Sequence, residues 1–179
     1  MKLQEMTLQQ LWELFPILLT EHNPGWKEWF RDEKALLESI LRCYANLRIT
    51  HIGSTAIPGI MAKPIVDILL EMPKGTDMKA LAATLEENGW IIMSHTQTRI
   101  SLNKGYTPQG YAERVFHLHL RYNGDNAEII FRDYLRSHPF AAQEYEALKI
   151  ALWKEYGHDR DAYTAGKTLF VGKFSRPTC

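Results

Sequence analysis

The stretch from His51 to Glu71, HIGSTAIPGIMAKPIVDILLE, contains the residue types with the clearest potential for chemistry. Gly53-Ser54-Thr55 follows a short apolar run and opens a turn, and such a turn presents backbone N–H groups that can bind an anion such as phosphate. Gly53 lets a phosphate approach the backbone closely, and Ser54 and Thr55 add hydroxyl donors. The alternative is an ordinary turn, because Gly and Ser are common turn residues.

Asp67 is a carboxylate within the otherwise apolar run IVDILLE. A buried ionised carboxylate is costly unless it is paired or binds a metal ion. Because it follows the Gly-Ser turn, a magnesium ion that bridges Asp67 and a nucleotide phosphate would satisfy both groups. A structural salt bridge to Lys63 or to an arginine is the alternative.

His117 and His119 flank Leu118 on a predicted strand, where residues two apart point to the same face. Two adjacent imidazoles can bind zinc or another transition metal, contact a phosphate or act as a general base. His51, on another predicted strand, can join them. A half-exposed strand face that uses histidine without further function is the alternative.

One apparent phosphate motif fails. Gly166-Lys167-Thr168 resembles the end of a P-loop, but Asp161 stands where that motif requires its first glycine, and the preceding residues predict a helix instead of a strand. Lys167 can still reach a site from the last helix. The basic residues that could counter a phosphate are Lys63, Arg114, Arg121, Arg132, Arg136 and Lys167.

The elements that must position these residues follow from hydrophobic periodicity and turn signals. The pattern predicts an α+β fold in one domain, residues 1–179, with N- and C-terminal helices packed around a mixed sheet of about five strands. Predicted helices cover residues 7–19, 26–44, 77–88, 125–136, 137–156 and 159–174. Predicted strands cover residues 48–52, 65–71, 90–94, 98–103 and 115–122, with a loop at 104–110.

Composition limits the classes of partner. The 179 residues include 21 basic and 21 acidic side chains, so zero net charge gives no overall attraction to nucleic acid or to an anionic membrane. No apolar run approaches the roughly 20 residues of a membrane helix, and the N-terminus lacks a signal-peptide pattern. Cys43 and Cys179 lie far apart, which favours a reducing compartment over a disulfide framework. We therefore expect a cytoplasmic protein.

Several segments together resemble the GrpB family, which is related to the nucleotidyltransferase superfamily. They are HIGSTAIPGIMAKPIVDI, FHLHL, FRDYLRSHPFAAQEYEALK and YTAGKTLF, and the similarity extends over about residues 20–174. The resemblance implies a polymerase-β-like nucleotidyltransferase fold, a nucleoside triphosphate held at Gly53 and Ser54, and Asp67 as the first of the metal-binding carboxylates. Mg²⁺ is the implied cofactor, with Mn²⁺ or Zn²⁺ as alternatives.

The chain departs from the superfamily pattern at two positions. Leu69 occupies the place of the second carboxylate, and Glu71 is the next acidic residue on that strand face. His117 or His119 occupies the place of the third carboxylate. Two-metal phosphoryl transfer needs enough anionic oxygen to hold both ions.

Three functions are consistent with these residues. The first is transfer of a nucleotidyl group to an unknown acceptor, with Asp67 and His119 as catalytic residues and with Gly53, Ser54, Thr55, Lys63, Arg132 and Lys167 binding the nucleotide. The second is a nucleotide-binding module without catalysis. The third is another metal-dependent enzyme whose ligands are Asp67, His117, His119 and His51. The expected ligand in each case is a nucleotide or another small molecule that carries phosphate.

Overall fold

A five-stranded mixed β-sheet lies at the centre of the computed structural model, which describes residues 5–175. Its strands are β1 (Arg48–Ile52), β2 (Val66–Met72), β3 (Ile91–His95), β4 (Arg99–Thr107) and β5 (Gly110–Tyr122). They lie in the order β1-β2-β5-β4-β3, with β2 and β5 parallel and the other neighbours antiparallel. This confirms the predicted α+β fold around a mixed sheet of five strands.

Within residues 5–175, seven α-helices surround the sheet. They are α1 (Leu8–Leu14), α2 (Trp26–Ile40), α3 (Met78–Glu87), α4 (Ala127–Ser137), α5 (Pro139–Tyr156), α6 (Arg160–Gly166) and α7 (Thr168–Phe174). The capping box expected from Thr7 and Gln10 begins α1. The first helix ends at Leu14, earlier than predicted, because Pro16 lacks an N–H donor and disfavours helical geometry in the residue before it.

The two faces of the sheet differ in character. On one face, Ile68 and Leu70 of β2 belong to the main hydrophobic core, together with Leu37 of α2 and Leu81 of α3. The opposite face carries Asp67, Leu69 and Glu71, since side chains alternate along a strand. Burial of β2 on both faces, which its long apolar run predicts, places one carboxylate next to a packed interior.

A second core holds the C-terminal helices over the loop that follows β1. Ile57 and Ile60 of that loop pack against Phe131 and Leu135 of α4 and Tyr145 of α5. Partly buried rings of α7 complete this core. As a result, α5 and α6 lie beside the Gly53-Ser54 turn and can supply side chains to it.

Other predicted boundaries are also wrong. The predicted loop at 104–110 is mostly strand: β4 continues to Thr107 and pairs with β5 around a two-residue turn. Gly105 allows this bulged pairing, because it has φ +90° and a Cβ would lie 2.4 Å from the carbonyl oxygen of Arg114. The last predicted helix is divided at Lys167, and His138, instead of Ser137, precedes α5.

No helix within residues 5–175 is both long and apolar enough to span a membrane. Cys43 is an exposed free thiol. The predicted domain also includes residues 1–4 and 176–179, and Cys179 is one of them. These residues lie outside the described part of the chain.

Candidate functional site

The Gly53-Ser54 turn packs directly against Asp67. Gly53 has φ +74° and ψ −174°, a conformation almost restricted to glycine, and Ser54–Ala56 then form one turn of 3₁₀-helix. A Cβ on Gly53 would lie 2.4 Å from Oδ2 of Asp67. The N–H groups of Ser54 and Thr55 begin the turn and have no partner within it, so the turn offers donors beside the carboxylate.

Asp67 and the two predicted histidines lie together. The parallel pairing of β2 and β5 sets Asp67 opposite His117 and Leu69 opposite His119. Oδ1 of Asp67 is 3.3 Å from Nδ1 of His117 and 3.7 Å from Nε2 of His119. The Asp67 side chain is 29% exposed, so the carboxylate is open to a ligand.

A hydrogen-bonded chain fixes the orientation of His117. A guanidinium N–H of Arg160 donates to the hydroxyl oxygen of Tyr106 at 3.2 Å, and that hydroxyl lies 2.8 Å from Nε2 of His117. With the tyrosine proton directed at Nε2, the other ring nitrogen, Nδ1, carries its proton toward Asp67. Tyr106 and Arg160 therefore orient His117, the partner of Asp67. The sequence patterns did not single out either of these two residues.

Electrostatics keep Asp67 ionised. Burial alone would raise its pKa, but hydrogen bonds from His117 and His119, and the positive charge of these rings in the acid range where Asp67 titrates, hold the pKa of Asp67 well below its ordinary value. Burial lowers the pKa of His117, against the opposing effect of Asp67. The pair at neutral pH is thus a carboxylate beside a neutral imidazole.

Basic side chains collect around this carboxylate. Burial, together with the charges of Lys167 and Arg160, lowers the pKa of Lys63 to about 7 against the opposing effect of Asp67. Burial also lowers the pKa of Lys149 to about 7, with Lys167 and Lys63 contributing. We call these four residues the basic cluster (Lys63, Lys149, Arg160 and Lys167): Lys63 and Lys167 interact electrostatically with Asp67, Arg160 and Lys149 lie near these lysines, and Glu146 is an acidic neighbour of Lys149.

Aromatic rings support the basic cluster. The ammonium groups of Lys63 and Lys167 lie 5.2 and 4.5 Å from the ring centre of Tyr163. The ammonium of Lys149 lies 5.0 Å from the ring centre of Tyr145, whose hydroxyl reaches the Ser54 side chain. Lys149 also donates a hydrogen bond to the carbonyl of Met61. The rings tie the cations to the turn.

The structure explains why the P-loop resemblance fails and yet Lys167 reaches the site. A Cβ on Gly166 would lie 2.4 Å from Cδ2 of Leu152, so this glycine serves the close packing of α6 on α5. The only sequence signal for Lys149 was a lysine within the apolar segment ALKIALW. Burial of that lysine depends on the way α5 packs, which the pattern does not specify.

His51, Thr55 and Arg132 do not join this site. His51 follows Thr50 and precedes Ile52, which faces Asp67, so His51 points to the other face of the sheet. Its Nε2 lies 2.9 Å from the Thr55 hydroxyl, and its ring stacks on Phe30. The Thr55 hydroxyl is thereby occupied and buried.

Arg132 is engaged elsewhere as well. It donates a hydrogen bond of 2.6 Å to the carbonyl oxygen of His51 and pairs with Asp133 at 2.7 Å. Its guanidinium faces a separate cleft that is not lined by Asp67. The expected phosphate contact from Arg132 therefore does not form at the Gly53-Ser54 turn.

The residues around Asp67 do not fit a two-metal centre. Leu69, at the position of the second carboxylate, is fully buried against Ile52 and Ile129. Glu71 is 2% exposed and pairs with Arg48 at 3.6 Å, at the far end of β2. Among the described residues, no group of three His, Cys, Asp or Glu side chains is placed to hold a metal ion.

Comparison with known proteins places the chain in a family. The family described as GrpB protein matches residues 16–176. A UPF0157 protein of Pseudomonas aeruginosa is 40% identical over 155 residues, which are 84% of this chain and 63% of that protein. The glutamate-rich protein GrpB of Alkalihalophilus pseudofirmus is 37% identical over 160 residues, 87% of this chain and 91% of its own length. The chain thus spans less than two thirds of the first relative.

Solved structures agree with the fold. The GrpB crystal structure from Enterococcus faecalis has a TM-score of 0.75 at 30% identity and covers 88% of this chain and 94% of that one. The structure of the GLD-2/RNP-8 complex has a TM-score of 0.56 at 11% identity, and the match covers 84% of this chain and 59% of that chain. The structure of the Cid1 poly(U) polymerase with MgGTP bound has a TM-score of 0.50 at 12% identity, and the match covers 83% of this chain and 46% of that chain. The chain belongs to the GrpB family, and its fold is related to that of the nucleotidyltransferases.

Proposed function

We propose that this protein binds a nucleoside triphosphate, with the phosphates held between the Gly53-Ser54 turn and the basic cluster. One observation carries the proposal: four basic side chains lie together beside the turn, and burial and mutual repulsion lower the pKa of Lys63 and of Lys149 despite the neighbouring Asp67 and Glu146. Like charges brought together with partial loss of water are unfavourable unless an anion compensates them. A triphosphate is a polyanion of the required sign, and backbone N–H groups of the turn add donors for it.

The missing second carboxylate fits the same proposal. Since Leu69 is buried and Glu71 is engaged, Asp67 is the one carboxylate of β2 that faces the turn, and the lysines supply the positive charge that a pair of metal ions would otherwise bring. Binding through side-chain and backbone donors is therefore the function that these residues support best. No step through a bound metal follows from them.

The test is calorimetry or thermal-shift measurement with ATP, GTP, CTP and UTP, each alone and with Mg²⁺, Mn²⁺ or Zn²⁺. The informative variant is Lys167→Gln, and the control is Lys173→Gln, because both lysines lie over aromatic rings in the last helical segment. Removal of one charged donor should weaken binding about tenfold, or about 1.4 kcal/mol, for Lys167→Gln only. The absence of any shift with every nucleotide and metal combination contradicts the proposal.

Nucleotidyl transfer is a second candidate function, favoured by the placement of His119. Its Nε2 faces Asp67 Oδ1 at 3.7 Å, and Ser101 Oγ lies 3.4 Å from its Nδ1, so the ring is oriented beside the site. In this reaction His119 accepts the proton of an acceptor hydroxyl, the hydroxyl oxygen attacks the α-phosphorus, and pyrophosphate leaves. Pyrophosphate release that disappears in His119→Gln, with nucleotide affinity retained, would support it. Binding without release in the presence of diverse acceptors contradicts transfer and leaves the binding function.

A further inference from the structure

A large cleft lies away from the Asp67 site, over the free edge of β1. Its volume is about 940 Å³, and it is bounded by α2, β1, the loop at 55–60, α4 and the start of α5. Asp67 and the basic cluster do not line it. The segment from Thr55 to Ile57 separates the two sites. It lines the cleft, whereas Gly53, just before it, lies against Asp67.

The charges that face this cleft have one sign. Its charged lining side chains are Lys27, Arg132 and Arg136, and no Asp or Glu is among the lining residues. In a chain with equal numbers of acidic and basic residues, such a lining is a specific local arrangement. Asp133, which pairs with Arg132 at 2.7 Å and approaches Arg136 to 3.9 Å, lies outside the cleft and is half exposed.

Neutral histidines and apolar side chains form the rest of the wall. Burial lowers the pKa of His51 to about 4 and lowers the pKa of His22, so the arginines and the lysine supply the charge at neutral pH. The apolar lining consists chiefly of Phe30, Ile49, Ile57, Ile60 and Leu135. A site of several hundred cubic ångströms with an apolar wall and a few convergent charges is typical of small-molecule pockets.

The arginines are held in place by the backbone of the dividing segment. Nε of Arg136 donates to the carbonyl oxygen of Ala56 at 2.8 Å, and Arg132 donates to the carbonyl oxygen of His51. Each guanidinium has five N–H donors, so these contacts fix the group and leave other donors for a ligand. A fixed cation beside an apolar wall suits a ligand with an anionic end and an apolar body.

We propose that this cleft is a second binding site, for a small organic anion with an apolar body and a carboxylate, sulfonate or phosphate group. The anionic group is held by Arg136 and Lys27, and the apolar body packs on Phe30, Ile57 and Leu135. This site is independent of the nucleotide site, although the two share the Gly53–Ile57 segment as a common wall.

The test uses 8-anilinonaphthalene-1-sulfonate, an amphipathic anion that becomes fluorescent in apolar surroundings, with uncharged N-phenyl-1-naphthylamine as the comparison dye. Wild type should bind the sulfonate with a dissociation constant at least about tenfold lower than that of the double variant Lys27→Gln, Arg136→Gln. Arg114→Gln is the matched control, since Arg114 and Arg136 are 43% and 42% exposed and each approaches an aspartate. The uncharged dye should not distinguish the variants.

A second pair of variants tests where the dye binds, by introducing a larger side chain inside or beside the cleft. Gln143 lines the cleft, whereas its exposed neighbour Glu144 does not, so Gln143→Trp should abolish dye binding and Glu144→Trp should leave it within about twofold. Circular-dichroism melting verifies that each variant is folded. The proposal is overturned by a wild type that does not bind the dye, by folded cleft variants that bind it as the wild type does, or by loss of binding in Lys167→Gln, which would place the dye in the nucleotide site.

Discussion

Gly53 and Asp67 are in contact across the turn that joins β1 to β2, and no larger residue fits at position 53. The backbone there has φ +74°, and a Cβ would lie 2.4 Å from the Asp67 carboxylate. The glycine thus brings the backbone N–H groups of the turn next to the carboxylate. The proposed nucleotide site depends on that approach.

Gly53→Ala should destabilise the protein strongly, because the variant carries both backbone strain and a clash. Gly89 is the control: it has φ +88°, but nothing lies within 4 Å of the position that a Cβ would occupy. Gly89→Ala should cost about 1 kcal/mol of unfolding free energy from strain alone, and Gly53→Ala about 3 kcal/mol or more. Urea denaturation measures both. Equal losses for the two variants would show that Gly53 is not in close contact with Asp67.

Leu69→Asp, which restores the superfamily's second carboxylate, should not create a metal site. Leu69 is fully buried with Ile52 and Ile129, so an ionised side chain there would lose its hydration and destabilise the fold by at least about 3 kcal/mol. Leu69→Met should cost less than about 1.5 kcal/mol. Thermal denaturation with and without Mg²⁺ provides the measurement. A stable Leu69→Asp protein that Mg²⁺ stabilises further would contradict the proposed packing role.

Nucleotide affinity should fall as the pH rises above 7. Lys63 has a pKa of about 7 in the free protein, and a bound triphosphate favours its charged form, so binding above pH 7 takes up a proton. The affinity is expected to fall by up to about tenfold per pH unit between pH 7 and 9 for each such lysine. Calorimetry in two buffers of different ionisation enthalpy detects the proton uptake. Lys63→Met should flatten the profile, and a flat wild-type profile would exclude a charge contact from Lys63.

Acid destabilisation should depend on His51. Its pKa is about 4 in the folded protein, chiefly because of burial, and about 6.5 in the unfolded chain. Between pH 6.5 and 4, the unfolded chain binds a proton at His51 that the folded protein does not bind. The stability that depends on neutral His51 is therefore intact above pH 6.5 and is lost as the pH falls toward 4, by at most about 1.4 kcal/mol per pH unit. Urea denaturation at pH 7, 5.5 and 4.5 should give a shallower decline for His51→Gln than for wild type. The exposed His158→Gln should reproduce the wild-type decline, and a parallel decline in His51→Gln would refute the assignment.

Tyr106→Phe should release His117 from a single tautomer. The Tyr106 hydroxyl lies 2.8 Å from Nε2 of His117, so its removal leaves the ring free to carry its proton on either nitrogen. Long-range proton–nitrogen NMR should show His117 protonated on Nδ1 in wild type and as a mixture in the variant. Tyr122→Phe is the control, because Tyr122 lies on the same strand as His117 but on the opposite face, against the main hydrophobic core. Protonation of His117 on Nε2 in wild type would contradict the chain from Arg160 through Tyr106 to Asp67.

Much of the framework was predictable because it depends on local pattern. The apolar run of β2 predicts a strand buried on both faces, and the spacing of His117 and His119 predicts a shared face. Wrong boundaries occur where a single residue outweighs the pattern, as at Pro16, or where tertiary pairing overrides glycines and a proline, as in the β4–β5 hairpin. The strand context of Asp67 could not, however, reveal which distant side chains surround it.

By itself, the sequence determined the α+β fold, the position of the Gly53-Ser54 turn before Asp67 and the loss of a carboxylate at Leu69. The tertiary structure alone decided which distant side chains share that turn. It brought Arg160 and Tyr106 to His117, the partner of Asp67, placed Lys149 near Lys63 and Lys167, and directed His51 and Arg132 to the separate cleft. The physical reason is that helical and strand periodicity fix which face a side chain occupies, whereas the packing of α5 and α6 against the sheet, through contacts remote in sequence, fixes what that face meets.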